Sequence, residues 1–181
     1  MKNTLIILAF FISTSVIAET KGKEYLGMQF GVSLYTEDGS PDYNPTFGAI
    51  RAGYNVNKNF ALEGRYGEGN REDTNTVLGV PVSVDINHFR GIYGLVSFSL
   101  TRGIEPYILA GYTSARITYS SLGTSLTAKQ SGISYGMGFN FMGYGKDLAW
   151  NIEYVSYINE TDILSSQVSL SSVNIGATLL F

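Results

Sequence analysis

At 181 residues the chain has room for one domain, and a net charge of −3 with no basic cluster argues against nucleic acid as a partner. The absence of cysteine excludes a disulfide framework and a lipoprotein attachment site. Charged residues make up 15% of the sequence, well below the roughly 25% of an ordinary soluble domain, while 21 Gly and 13 Tyr are abundant.

Residues 1–18 read as a secretory signal peptide. Lys2 supplies a basic start, Leu5 to Ile12 an apolar core, and Val16-Ile17-Ala18 the residues before a cut ahead of Glu19. The apolar run is broken by Ser13, Thr14 and Ser15, short of the roughly 20 residues that span a bilayer. Residues 19–181 form the expected single domain, and no later segment is a continuous apolar run long enough for a membrane helix. Lipid exposure has to come from alternation.

From Glu24 the alternation begins, with Leu26, Met28, Phe30, Val32 and Leu34 on one face and Gly27, Gln29, Gly31 and Ser33 on the other. A polar segment, Thr36 to Asn44, follows. A second strand, Phe47 to Val56, sets Ile50, Ala52 and Tyr54 against Ala49, Arg51 and Gly53, and Asn57-Lys58-Asn59 makes a tight turn. A third, Phe60 to about Gly67, sets Leu62 and Tyr66 against Glu63 and Arg65. Glu68 to Thr76 is the most hydrophilic stretch and reads as an exposed loop. Val80, Val82, Val84 and Ile86 then share the parity of Ile92, Val96, Phe98 and Leu100. This suggests one strand about twice the 9 to 11 residues a membrane crossing needs, with Pro81 on an unpaired edge.

After the turn Thr101-Arg102-Gly103, the strand Glu105 to Tyr119 carries apolar residues on both parities, so its facing stays open. Ser120 to Gln130 reads as a polar loop. Ile133, Tyr135, Met137, Phe139 and Phe141 alternate with Ser134, Gly136, Gly138 and Asn140. Residues 143–147 form a third tight turn, and Leu148, Trp150, Ile152 and Tyr154 oppose Asn151 and Glu153. A last loop, Ile158 to Ser166, leads to the final strand, in which Val173, Ile175, Ala177, Leu179 and Phe181 alternate with Asn174, Gly176 and Thr178.

Eight such strands, with short turns near residues 57, 102 and 145 and long connections near 40, 72, 125 and 162, predict an all-β fold: an eight-stranded antiparallel up-and-down transmembrane β-barrel. Its apolar parity faces lipid and its small and polar parity faces inward, which brings Arg51, Glu63, Arg65 and Glu153 inside as expected ion pairs. A barrel of this size has room inside only for side chains, so the interior is expected to be a plug and not an aqueous pore. Phe139, Phe141 and Trp150 by the third turn, and Tyr54 and Phe60 by the first, mark an expected periplasmic aromatic girdle.

Asn174, Gly176, Leu179 and the terminal Phe181 resemble the C-terminal signal by which bacterial outer-membrane barrels are recognised by their assembly machinery. The whole chain after residue 18 resembles the small outer-membrane barrels of the OmpA-like, OmpX and opacity-protein type. The resemblance rests on Y-L-G-M-Q-F-G-V-S-L-Y at Tyr25–Tyr35, R-A-G-Y-N-V-N-K-N-F-A-L-E-G-R-Y at Arg51–Tyr66, E-P-Y-I-L-A-G-Y at Glu105–Tyr112 and the final strand. It implies a monomer in a Gram-negative outer membrane, with outer-membrane lipid, lipopolysaccharide and the barrel-assembly machinery as partners, and loops that bind a host or surface ligand.

The function this suggests is structural or surface-binding, for adhesion or protection, with a narrow porin-like channel and a lipid A-modifying enzyme as the alternatives. Two lipid-modifying enzymes are built on comparable barrels, but the deacylase type resembled has Ser two residues after its His, and here Arg90 follows the only histidine, His88. No Asp-Ser pair stands beside Asp85, and no cluster suggests a metal, so neither catalysis nor a cofactor is expected. His88, Arg90 and Arg116, at the expected extracellular ends of their strands, are candidates for contact with lipopolysaccharide phosphates, since Arg suits planar bidentate phosphate pairing. The Val80–Ile86 segment is a candidate edge for strand addition by a binding partner.

Overall fold

In the computed structural model, residues 24–37, 41–77, 79–100, 103–143, 147–161 and 167–181 are described; the expected signal peptide lies outside them. They form nine strands: β1 (Glu24–Glu37), β2 (Thr46–Asn55), β3 (Phe60–Arg71), β4 (Asp73–Val77), β5 (Val80–Ser97), β6 (Ile104–Ser121), β7 (Thr124–Met142), β8 (Leu148–Thr161) and β9 (Gln167–Leu180). All pairings are antiparallel. The order is β3-β2-β1-β9-β8-β7-β6-β5-β4, and a further β3–β5 pairing closes the sheet. Because β3 pairs β5 up to Glu68–His88 and β4 pairs it again from Asp73–Val84, they act as one interrupted strand, and the barrel is eight-stranded.

Alternation decides the facing. Leu26, Met28, Phe30, Val32, Ile50, Leu62, Ile108, Ile133, Met137, Trp150, Ile152, Ile175 and Leu179 are exposed, while Arg51, Glu63, Arg65, Asn151, Glu153 and Asn174 are buried. An apolar outer wall around a polar interior is stable only where the surroundings are hydrocarbon. The strand from Ile104 settles too: Tyr107, Leu109, Thr113, Ala115 and Ile117 turn inward, and Ile108 and Tyr112 outward. Phe139, Phe141, Trp150, Tyr54 and Phe60 all lie exposed on the outer wall beside the short turns, with Phe139 and Phe141 stacked at 6.5 Å.

Several expectations fail on the long-hairpin side, among them the loop expected from Ile158, whose first residues, to Thr161, belong to β8. Glu68 to Thr76 is strand and not loop, carried by β3 and β4. Ser120 to Gln130 is strand as well, because β6 and β7 meet at a two-residue turn, Leu122-Gly123, closed by the Ser121–Thr124 pair. Both turn residues have positive φ, 49° and 80°, as a type I′ hairpin requires. Gly123 takes this freely; Leu122 is strained there by about 1 kcal/mol or more.

A further correction concerns Val84 and Ile86. Their shared parity with Ile92 and Val96 suggested one face, yet both are buried inside. A bulge intervenes, since Ile86 pairs Ile117 while His88 pairs Arg116, leaving Asn87 as the extra residue that switches the faces. The same happens in β8, where Ser156 pairs Ser171 and Ile158 pairs Leu170, which turns Ile158 inward. Nor is Val80–Ile86 an edge: β4 flanks it on one side and β6 from Val82 on the other. Pro81 sits just beyond the β6 pairing. One position on from the Val77–Val80 pair, Pro81 faces Thr76 where the N–H it lacks points away from β4, so no ladder bond to β4 is lost.

Close packing inside fixes where glycine is needed. A Cβ at Gly138 would lie 2.6 Å from the Tyr107 ring, 2.7 Å from Glu153 Cβ and 2.7 Å from the Ile152 carbonyl oxygen. Two of these neighbours belong to rigid groups, so Gly138→Val overpacks the lumen at a cost of at least about 1–3 kcal/mol. The variant is expected to lose most of the compact, fast-migrating form on unheated gels, whereas Ile133→Val, on the outer wall, keeps it.

Candidate functional site: a charged lumen and a basic outer rim

The lumen holds two storeys. In the storey towards the short turns, Glu63 accepts Arg51 Nε at 2.8 Å, Arg51 Nη2 at 2.5 Å, Arg65 Nε at 2.6 Å and the Tyr25 hydroxyl at 2.6 Å. Arg65 then reaches across to β8, its Nη1 at 2.5 Å and Nη2 at 3.0 Å from the two oxygens of Glu153. The Tyr107 hydroxyl, Gln29 Nε2 and Asn174 Nδ2 also donate to Glu153, at 2.8, 2.9 and 2.9 Å. Arg65 lies over the Tyr93 ring, 4.7 Å from its centroid. The structure thus brings all four charged residues into one network with two charges of each sign.

Strand register explains the arrangement. Arg51 and Arg65 are direct cross-strand partners, a pairing that repels unless a carboxylate stands between them. Glu63, two positions from Arg65 on the same face, is that carboxylate. Taking one ion out of water costs several kcal/mol, and the geometry offsets this only because every carboxylate oxygen has donors.

The upper storey is apolar. Phe47, Phe89 and Tyr157 meet with centroids 4.9, 5.2 and 6.2 Å apart, and Ile86, Ile117, Ile158 and Leu170 are buried around them. Above them the Tyr35 and Tyr119 hydroxyls lie 2.7 Å apart. Reading the charges alone missed this layer: Phe47, Phe89, Ile117 and Leu170 keep the inward parity but carry no charge, and the two bulges hide the parity of Ile86 and Ile158.

Of the final-strand residues, Leu179 and Phe181 are exposed on the outer wall, while Asn174 is buried on Glu153 and on the Tyr157 hydroxyl, the latter at 3.2 Å. A Cβ at Gly176 would lie 2.5 Å from the Met28 carbonyl oxygen, so this position is held to glycine by the β1–β9 seam.

His88, Arg90 and Arg116 lie together on the outer wall, just beyond the apolar belt on the long-hairpin side, and line one cleft of about 210 Å³ with Ser114 and Lys129. His88 stacks on Tyr66 at 6.3 Å. Lys129 was missed because Ser120–Gln130 read as a loop. Folding the hairpin about Leu122-Gly123 sets Lys129 directly opposite Arg116. Among the described residues, His88 makes no side-chain hydrogen bond to a nucleophile, and no group of three or more His, Cys, Asp or Glu is placed to hold a metal.

A closed sheet with a greasy exterior and a charged, filled interior defines a transmembrane barrel of the outer-membrane class. The sequence over residues 4–181 matches the outer membrane protein beta-barrel domain family, and the chain belongs to it. The fold is similar to that of neisserial surface protein A (TM-score 0.69, 13% identity, 90% of this chain and 100% of that one). It is also similar to Ail, the attachment invasion locus protein of Yersinia pestis (0.60, 17%, 88% and 100%), and to the N-terminal barrel domain of Pseudomonas aeruginosa OprF (0.51, 13%, 88% and 100%). No curated protein matches the sequence. The protein is located in the outer membrane of a Gram-negative bacterium; barrels of this class set their short turns toward the periplasm and their long hairpins outside.

Charge balance gives a test of the lumen. Glu153→Leu leaves two buried guanidinium groups sharing one carboxylate and is expected to cost about 3–5 kcal/mol. Arg65→Met/Glu153→Leu keeps the Arg51–Glu63 pair whole and is expected to recover most of that loss. Urea unfolding in lipid vesicles distinguishes them; a double variant no more stable than the single one would show that packing, and not charge, decides.

Proposed function

We propose that the protein is a sealed, monomeric, non-catalytic membrane anchor that holds a rigid sheet above the outer leaflet for surface contact. The observation that carries this is the filled lumen: the ion network and the Phe47–Phe89–Tyr157 layer occupy the cross-section one above the other. A channel would need both layers to part. On this reading the final strand, with Asn174, Gly176, Leu179 and Phe181, is what the barrel-assembly machinery reads before the seam with β1 closes.

The contact surface is the sheet β4-β5-β6-β7. Its far edge is open: β8 pairs β7 only from Tyr135 onward, so Thr124 to Ser134 offer backbone groups that no described strand takes. This moves the expected strand-accepting edge from Val80–Ile86 to β7. At the tip, Leu122 and Leu126 are 79% and 69% exposed, and Leu122 keeps a strained backbone that Asn or Gly would relieve. A bulky apolar residue at an unfavourable, exposed position supports a contact role.

In planar bilayers the refolded protein is expected to show no stable stepwise openings; regular openings would favour the channel. Cells carrying Leu122→Asn/Leu126→Asn are expected to adhere less to a target surface while the barrel keeps its gel mobility, and Leu122→Asn alone is expected to raise stability by about 1 kcal/mol. Undiminished adhesion would remove the contact role from this tip.

A further inference from the structure

The outer wall carries opposed cations that no carboxylate among the described residues neutralises. His88, Arg116 and Lys129 are direct cross-strand neighbours on β5, β6 and β7, and Arg90 stands one outward position nearer the membrane. Like charges directly opposite one another destabilise a strand pair. Inside the barrel, the opposed Arg51 and Arg65 share Glu63. Outside, Arg116 and Lys129 have no carboxylate in an ion pair among the described residues: Glu68, opposite His88 on β3, accepts the Tyr66 hydroxyl at 2.7 Å, and Asp85, opposite Thr118 one row further out, pairs with neither cation. Among the described residues Arg90, Arg116 and Lys129 form no ion pair. They line a common cleft with Ser114, which adds a hydroxyl donor.

The surroundings limit what fits. Along the same three strands towards the periplasm, Ile92, Tyr112 and Ile133 face outward and are exposed, so the cations sit where an apolar belt begins. Three full positive charges and a hydroxyl on one side of a cleft, with a greasy wall below, match an anion that is also an amphiphile. We infer that this cleft binds the headgroup of an outer-leaflet lipid carrying at least two phosphate charges, its acyl chains lying over Ile92, Tyr112 and Ile133. The two arginine forks take phosphate oxygens in pairs, Lys129 acts as a point charge, and the bound anion relieves the repulsion between Arg116 and Lys129.

The test uses the full chain refolded in zwitterionic detergent, with diphosphoryl lipid A as probe and inorganic phosphate as the non-lipid control. Without added anion, Arg116→Gln/Lys129→Gln and Lys129→Gln are expected to melt at higher temperature than the parent, because a repulsion has been removed. With the lipid the order reverses: the parent is stabilised more, and retention in native mass spectrometry falls on the order of tenfold for each cation removed. Arg90→Gln loses retention without gaining stability, and Lys58→Gln, at a periplasmic turn, changes neither. Salt weakens the parent's retention. Equal retention by the parent and the double variant would overturn the site. Inorganic phosphate stabilising the parent as much as the lipid does, at the same concentration, would overturn the lipid assignment.

Discussion

Hydrocarbon offers no partner to a backbone amide, and this requirement orders everything else in the molecule. A sheet that crosses the membrane has to close, so β9 pairs β1 from Tyr25–Leu180 to Glu37–Val168, and β3 meets β5 on the far side. Closure with eight strands sets a lumen too narrow to stay open. The interior must then be filled by the chain itself, and half of every strand's residues have to fit each other there. Glycines such as Gly138 and Gly176 make the space, and Tyr25, Tyr107, Arg51 and Arg65 use it.

The requirement ends where the lipid ends, and the structure changes sense at that height. Within the membrane the outer face is apolar and the lumen is charged; above it the outer face carries Arg116, Thr118 and Lys129, and the inside carries Ile86, Ile117, Ile158 and Leu170. A strand of strict alternation cannot do both when its apolar residues keep one parity. Single-residue bulges at Asn87 in β5 and Tyr157 in β8 shift the phase, so the same chain is inside-out below and an ordinary water-facing sheet above. β6 needs no bulge, because Tyr107 and Leu109 below and Ala115 and Ile117 above share the inward parity, and with Ile104, Ile108 and Tyr112 apolar on the other parity its facing was ambiguous from sequence.

What the sequence disclosed follows from the same physics. Period-two alternation is a local property, and it was enough to place the apolar wall, the strand count and the parity of Arg51, Glu63, Arg65 and Glu153. The bulges were not legible: a phase shift of one residue leaves no compositional mark at Asn87, and the matching parity of Val84 and Ile92 argued the other way. The strands beyond the membrane were missed for a related reason. Glu68–Thr76 and Thr124–Gln130 are polar on the side that meets water and short of apolar residues on the other, so their composition resembles a loop, and only the positive-φ turn at Leu122-Gly123 reveals the hairpin. Lys129 went unnoticed as part of that error. The side-chain partners of Asn174 were hidden too, because its fit to a terminal-strand pattern offered a reason for it unrelated to Glu153.

Two pairs of opposed cations show how the surroundings decide what a charge does. Arg51 and Arg65 face each other across β2 and β3 where water is excluded, and the fold supplies Glu63 and Glu153 within hydrogen-bonding distance. A bare guanidinium there would cost several kcal/mol, so the carboxylates are a condition of folding. Arg116 and Lys129 face each other across β6 and β7 at the edge of water, where solvent screens the repulsion enough for the sheet to form without a carboxylate. The inner pair is therefore complete within the chain. The outer pair remains folded but unneutralised, which leaves its field directed at whatever anion the outer leaflet presents.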